Sequence, residues 1–174
     1  KDVKVTSGDK VLFSDNFNNQ PVAKAGPGKW QLIRGDWQLK DGVYQQLGLA
    51  ADMRTVAGNP EWTDYTYTLK ARKLGGGEGF LIMFHVKDEN NYYWWNLGGW
   101  GNISHGIEKS IAGAKYAVGQ RVGGKIEPNR WYDIVIEVKG THIKCSLDGN
   151  VIHELDDLPP VPMDVIANRI EKTN

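Results

Sequence analysis

The sequence lacks the residues that several classes of protein require. Its 174 residues include a single cysteine, Cys145, which excludes an internal disulfide framework and any metal site built from several cysteines. An excess of charge of one sign is also lacking, because 21 Lys and Arg residues balance 21 Asp and Glu residues. No basic surplus is therefore available for a nucleic acid or an anionic lipid surface, and neither partner is expected.

Long apolar segments are absent as well. The longest apolar run, residues 79–86, falls far short of the ~20 residues that a membrane-spanning helix needs. The first residues, Lys-Asp-Val-Lys-Val, contain no apolar signal core. We therefore expect a soluble, monomeric chain that is either a mature form or a piece of a longer protein.

Helical periodicity is the third absence, and alternation takes its place. Period-two patterns bounded by Gly, Asp and Asn recur about every ten residues, which is typical of a β-sandwich or barrel. A meander is predicted from Trp131 to Leu155, with turns at Lys139-Gly-Thr141 and Asp148-Gly-Asn150. A hairpin is predicted around Asp41-Gly42, and residues 65–71 form a further half-exposed strand. The fold class is all-β, an antiparallel sandwich.

The C-terminal region differs from the rest of the chain. Pro159, Pro160 and Pro162 cannot occupy a central strand. We therefore assign residues 1–162 to one β-sandwich domain and residues 163–174 to an exit segment that leads toward a following domain.

The most informative stretch is an aromatic hairpin, residues 79–102. If a four-residue turn pairs Val86 with Asn91, alternate residues of the two strands share a face. One face, predicted to be core, then carries the pairs Phe84 and Tyr93, Ile82 and Trp95, and Phe80 and Leu97. The other face carries Leu81, Met83 and His85 opposite Asn96, Trp94 and Tyr92.

The second face has the composition of a sugar-binding surface. A sugar ring offers C–H groups to aromatic rings and hydroxyls to short polar side chains. The loop that follows adds Trp100 between glycines, and the next strand adds His105 and Glu108. The predicted ligand-binding residues are Tyr92, Trp94, Asn96, Trp100, His85, His105 and Glu108. Two alternatives stay open at this stage: a loop covers Trp94, or His85 is a hydrogen-bonded structural residue.

Catalytic and metal-binding patterns are weak. A glycosidase needs two carboxyl groups about 5–10 Å apart, and Glu154-Leu-Asp-Asp157 runs into Pro159 where a third acid of a hydrolase strand would stand. No nucleophile motif or zinc spacing occurs, so neither catalysis nor a required cofactor is predicted. A structural Ca²⁺ ion could use Asp15-Asn16 with Asp156-Asp157 if the first and last strands were neighbours, although each pair also fits an ordinary turn.

Several segments resemble a known family. Phe13-Ser-Asp-Asn-Phe17, Gly35-Asp-Trp37 and Asp41-Gly-Val-Tyr-Gln45 follow the opening pattern of laminin-G-like, concanavalin-type jelly rolls attached to carbohydrate-active enzymes. Residues 62–72, 77–80 and 93–102 resemble the carbohydrate-binding-type module within α-L-arabinofuranosidases, and Trp95-Asn-Leu-Gly-Gly-Trp100 is the most specific part.

The resemblance implies a function and partners. In those enzymes the catalytic carboxylates belong to a separate barrel, so the likeness implies a non-catalytic accessory module of a secreted or cell-envelope hydrolase. Its expected partners are a polysaccharide or oligosaccharide, with xylan or arabinoxylan as the best guess, and the catalytic domain of the parent enzyme. The alternative is a structural accessory domain that has no ligand of its own.

Overall fold

The computed structural model describes residues 1–18, 30–48 and 50–157, and nearly all of its regular structure is β. In chain order the strands are β1 (Val3–Ser7), β2 (Lys10–Asp15), β3 (Trp30–Arg34), β4 (Trp37–Lys40), β5 (Val43–Gln46), β6 (Arg54–Ala57), β7 (Tyr65–Arg72), β8 (Phe80–Phe84), β9 (Tyr92–Gly98), β10 (Ser104–Ile111), β11 (Ala114–Gly123), β12 (Trp131–Lys139), β13 (His142–Leu147) and β14 (Asn150–Asp156). The helical element in the described part of the chain is one turn, Gly99–Asn102. In these ranges no helix is long and apolar enough to span a membrane.

Two antiparallel sheets form the sandwich. The larger has six strands in the order β14-β13-β12-β7-β1-β2, and the smaller has four in the order β11-β10-β9-β8. Two separate strand pairs, β3 with β6 and β4 with β5, complete the described β-structure. This architecture confirms the predicted antiparallel β-sandwich.

The main core lies between the two sheets. The four-stranded sheet contributes Trp95 and Leu97, both 0% exposed, and the six-stranded sheet contributes Ile136 and Cys145, also 0% exposed. In β12 and β13 the buried residues alternate with more exposed ones, as expected when one face of a sheet is buried. Burial raises the pKa of the Cys145 thiol, so this cysteine is a packing residue.

A second, smaller core lies over the other end of the six-stranded sheet. Val3, Phe17 and Leu39 form its buried centre, and the rings of Trp30 and Tyr44 pack against it. Asp15 fixes this corner, because its carboxylate accepts hydrogen bonds from the Phe17 amide at 2.9 Å and from Trp30 Nε1 at 3.0 Å.

The strand predictions agree with the structure where it describes the chain. The meander is present as β12, β13 and β14, and the Asp41-Gly42 hairpin joins β4 to β5. Both Asp41 and Gly42 have positive φ angles, 51° and 67°, which a tight hairpin turn requires. The predicted exit segment, 163–174, lies outside the described residues.

The strand arrangement that the expected calcium site required is not present among the described strands. β2, which ends at Asp15, and β14, which ends at Asp156, form opposite edges of the six-stranded sheet. Five strand spacings of about 4.8 Å separate them, roughly 24 Å in all. Asp15 and Asp156 therefore cannot hold one ion together.

Candidate functional site

The aromatic hairpin has the predicted register. Phe84 pairs with Tyr93, Ile82 with Trp95 and Phe80 with Leu97, and these residues face the core. Residues of the opposite parity therefore lie on the outer face of the four-stranded sheet. Pairing of β9 with β10 adds Glu108 opposite Trp94 and Gly106 opposite Asn96 on that face.

Two rings of the outer face are covered. Tyr92 and Trp94 are each only 6% exposed, so the prediction that Trp94 is a bare stacking platform is wrong. The Lys115 ammonium lies 5.4 Å from the Trp94 ring centroid, and the Arg54 guanidinium lies 5.5 Å from that of Tyr92. Trp94 is thus covered, as in the open alternative, and the contact described here attributes part of that cover to the Lys115 side chain of β11.

A carboxylate anchors the centre of this face. Glu108 Oε2 accepts a hydrogen bond from Trp94 Nε1 at 2.8 Å and a longer one from Asn96 Nδ2 at 3.4 Å. These bonds fix the orientations of one ring and one amide, while Glu108 and Asn96 themselves remain half-buried. The three predicted residues are therefore brought together as one hydrogen-bonded group.

Trp100 occupies a strained turn at the end of β9. Its φ is 53° and ψ is 46°, a left-handed conformation that costs a non-glycine residue about 1–2 kcal/mol. Glu78 Oε1 accepts a hydrogen bond from the Gly101 amide at 2.8 Å, and Asn102 bonds to both backbone groups of Ile126. Such restraint of a strained residue is characteristic of functional sites.

The turn places the Trp100 indole over Gly106. A Cβ at Gly106 would lie 2.8 Å from the indole ring, so any side chain there would displace it. The guanidinium of Arg121 lies 4.6 Å from the ring centroid, in cation–π contact. Trp100 thus joins the same face as Asn96 and Glu108 and remains half-buried.

The two predicted histidines do not share the outer face with Glu108 and Asn96. His105 is 4% exposed, and its Nδ1 accepts a hydrogen bond from the Gly98 amide at 2.9 Å, so it belongs to the core side of the sheet. Burial, with a smaller contribution from nearby His153, lowers the pKa of His105. His85 has left the β-ladder with φ 49°, and its ring packs edge-on against the core residue Tyr93.

Three cations of the outer face were missed by the sequence reasoning. Lys115 and Arg121 lie on β11, and their outward orientation could have been found from the alternation with Val118, which faces the core. Arg54 lies on β6, and no local pattern indicates that it reaches Tyr92. Glu78, in the loop before β8, also positions the Trp100 turn and was not among the predicted site residues.

Part of this face opens into a cleft of about 1520 Å³ beside the edge strand β8. Tyr92, Trp94, Lys115 and Arg54 line the cleft, together with residues of β3 to β6. In the described ranges, no group of three or more His, Cys, Asp or Glu residues is arranged to hold a metal ion.

Comparisons with known proteins agree with this architecture. Residues 13–168 match the family model of the 3-keto-alpha-glucoside-1,2-lyase-like domain. The chain is 40% identical over 176 residues to an extracellular exo-alpha-L-arabinofuranosidase of Streptomyces chartreusis. That match covers 99% of this chain and 20% of the relative, so the chain spans about a fifth of that protein.

A solved structure shares the fold. The carbohydrate-binding module CBM66 from Bacillus subtilis superposes with a TM-score of 0.65 and 23% identity, over 75% of this chain and 80% of the other. The predicted likeness to β-sandwich modules of arabinofuranosidases is confirmed at the level of fold and sequence similarity.

Proposed function

We propose that this chain, which belongs to the 3-keto-alpha-glucoside-1,2-lyase-like domain family, is a non-catalytic carbohydrate-binding module of a larger secreted glycoside hydrolase. The observation that carries the proposal is the outer face of the four-stranded sheet. There a hydrogen-bonded acid and amide, Glu108 and Asn96, lie beside a strained, half-buried indole, Trp100. Polar groups around a ring that can stack are what a sugar needs.

The comparisons support the assignment to an accessory module. The Streptomyces relative is named as an extracellular arabinofuranosidase, and this chain matches only 20% of it. Arabinofuranosyl groups decorate xylan in plant cell walls, so we propose xylan or arabinoxylan as the ligand. The parent catalytic domain would then be the protein partner, and binding would hold it near its substrate.

We propose a revised set of contact residues on the basis of this geometry. Trp100, Asn96 and Glu108 remain in the proposed site, and Lys115 and Arg121 join it. Trp94 and Tyr92 support the site from beneath, because their rings are covered. His85 and His105 are left out.

Affinity electrophoresis tests the function. The wild-type chain is run through gels that contain xylan, arabinoxylan, arabinan, β-glucan or pectin. We expect retardation by the xylans, and we expect Trp100→Ala to weaken binding by about 1–3 kcal/mol, the typical effect of losing an aromatic anchor. Trp131→Ala is the matched control, because its ring lies on the six-stranded sheet between Lys1 and Arg72.

Failure of binding would favour a different function. If no polysaccharide retards the wild-type chain, the structural alternative applies, in which this domain only supports its parent enzyme. The covered state of Tyr92 and Trp94 is the observation that favours this alternative. The family name also motivates an assay for cleavage of a 3-keto-glucoside, and turnover by the pure chain would refute the non-catalytic assignment.

A further inference from the structure

The outer face carries more positive charge than the chain as a whole. The complete sequence has a formal net charge of zero. Yet three cationic groups, Arg54, Lys115 and Arg121, lie over the three aromatic rings of this one face. The carboxylate described there, Glu108, is already engaged by Trp94 and Asn96.

Two of these cations have no acidic partner in the described part of the chain. Arg54 lies 3.3 Å from a carboxylate oxygen of Asp52. In contrast, neither Lys115 nor Arg121 has a described Asp or Glu carboxylate within 4.0 Å, and both are exposed. Other surface cations do find such partners, for example Lys125 with Glu127 at 2.6 Å.

The positions of the two cations suit an extended ligand. Lys115 pairs with Ser110, and Arg121 lies in the bulge opposite Gly106, so four residues of β10 separate them. At about 3.4 Å per residue they stand roughly 13 Å apart along the sheet. This spacing would let each of them pair with a different position along an extended glycan.

The two cations also change what the aromatic rings beneath them offer to a ligand. Because Lys115 lies over Trp94 and Arg121 over Trp100, a sugar approaching either ring meets a positive charge first. A guanidinium stacked on a ring still presents the N–H groups of its edge, which match a carboxylate in a bidentate fork. A ligand with only hydroxyl groups would leave that charge complementarity unused.

We propose, on the basis of the proposed function, that the outer face binds a glycan bearing uronic acid, with its carboxylates paired to Lys115 and Arg121. In a xylan this corresponds to glucuronic acid side groups. Glu108 then accepts hydrogen bonds from hydroxyl groups in the neutral part of the glycan, and Asn96 donates hydrogen bonds to that part. Trp100 holds the guanidinium of Arg121 in place through their cation–π contact.

The test uses one polymer in two chemical forms. Glucuronoxylan is compared with the same preparation after chemical reduction of its carboxyl groups to alcohols, by calorimetry and by affinity electrophoresis. We expect native glucuronoxylan to bind at least about tenfold more tightly than the reduced form. The difference should shrink in 0.5 M NaCl, because salt at about that concentration screens exposed charges beyond a few ångströms.

Variants assign the effect to the two cations. Lys115→Gln and Arg121→Gln should each lower the affinity for native glucuronoxylan several-fold more than the affinity for the reduced form, because only the native polymer carries the carboxylates. Lys4→Gln is the matched control, since Lys4 is an exposed lysine on β1 of the other sheet. Polyglutamate measures attraction to any polyanion, and binding as tight as that of glucuronoxylan would overturn the proposal.

The remaining outcomes separate this inference from the proposed function. Equal binding of native and carboxyl-reduced xylan would overturn the uronic acid inference and leave carbohydrate binding intact. No binding of either form, or of any polymer in the panel above, would overturn both. Equal losses for Lys115→Gln on both xylan forms would also refute the carboxylate pairing.

Discussion

Replacing the buried indole of Trp95 by phenyl tests how the sandwich is held together. Trp95 is 0% exposed, and its Nε1 donates a hydrogen bond to His153 Nδ1 at 3.2 Å, which joins the two sheets. Trp95→Phe removes that donor and leaves a buried acceptor unpaired, which costs about 1–3 kcal/mol. The smaller ring also leaves a void, so we expect a total loss near 3 kcal/mol.

Urea denaturation followed by far-UV circular dichroism measures this change. With an m-value of about 2 kcal/mol per M, the midpoint should fall by roughly 1.5 M. Trp95→Ala removes the whole ring and should cost about 3–5 kcal/mol for the ring alone. That loss is a large share of a total stability of about 5–15 kcal/mol, so this variant approaches complete unfolding.

The matched control separates core packing from a general effect of losing tryptophan. Trp131→Ala removes a half-buried ring from the outer side of the six-stranded sheet and should lower the midpoint by less than about 0.5 M. If Trp95→Phe leaves the midpoint within about 0.2 M of wild type, the argument that this bond and this ring hold the sheets together is wrong. Glycan affinity measured on folded Trp95→Phe should be unchanged, because the ring faces the core.

Three further perturbations act on other parts of the molecule. Burial lowers the pKa of both His105 and His153 in the folded protein, so the fold favours their neutral forms. This contribution to stability is fully present above the unfolded pKa of about 6.5, and it is lost as the pH falls through the lower pKa values of the folded protein. A melting temperature that stays constant from about pH 7 to 5 would contradict this. Asp157→Ala should cost about 2–3 kcal/mol in urea denaturation, because its carboxylate accepts from the Tyr93 hydroxyl at 2.7 Å and from an adjacent lysine; an unchanged midpoint would refute that role. Gly106→Ala should displace Trp100 and weaken glycan binding with little loss of secondary structure by circular dichroism, and undiminished binding would show that the indole is not a contact.

The parts of the fold that sequence could predict are those fixed by local rules. Asp148 and Gly149 have φ angles of 50° and 80°, as their tight turn requires, and the meander follows from them. The register of β8 with β9 follows from the turn length and from the alternation of apolar residues. Trp95 in the core is a direct result of that register.

The errors have physical causes of two kinds. His105 shares its parity with the core residue Ile107, so alternation itself places it inward, and only its polarity favoured a site. Part of the cover over Trp94 and Tyr92 comes from Lys115 and Arg54, which belong to other strands. Such contacts depend on how strands assemble, and residue patterns within one hairpin do not contain that information.

The unequal constraint on β11 and on the Trp100 turn has a consequence for how binding specificity can diverge. β11 forms an edge of its sheet, and only Val118 of its ten residues is buried. The Trp100 turn, in contrast, tolerates little change, because Gly98, Gly99 and Gly106 each leave no room for a Cβ. Substitutions that alter ligand choice can therefore accumulate on β11 at almost no cost in folding, while the turn stays fixed. Libraries that aim to redirect this domain to a new glycan should randomise Lys115, Ala117 and Arg121 and leave the turn unchanged.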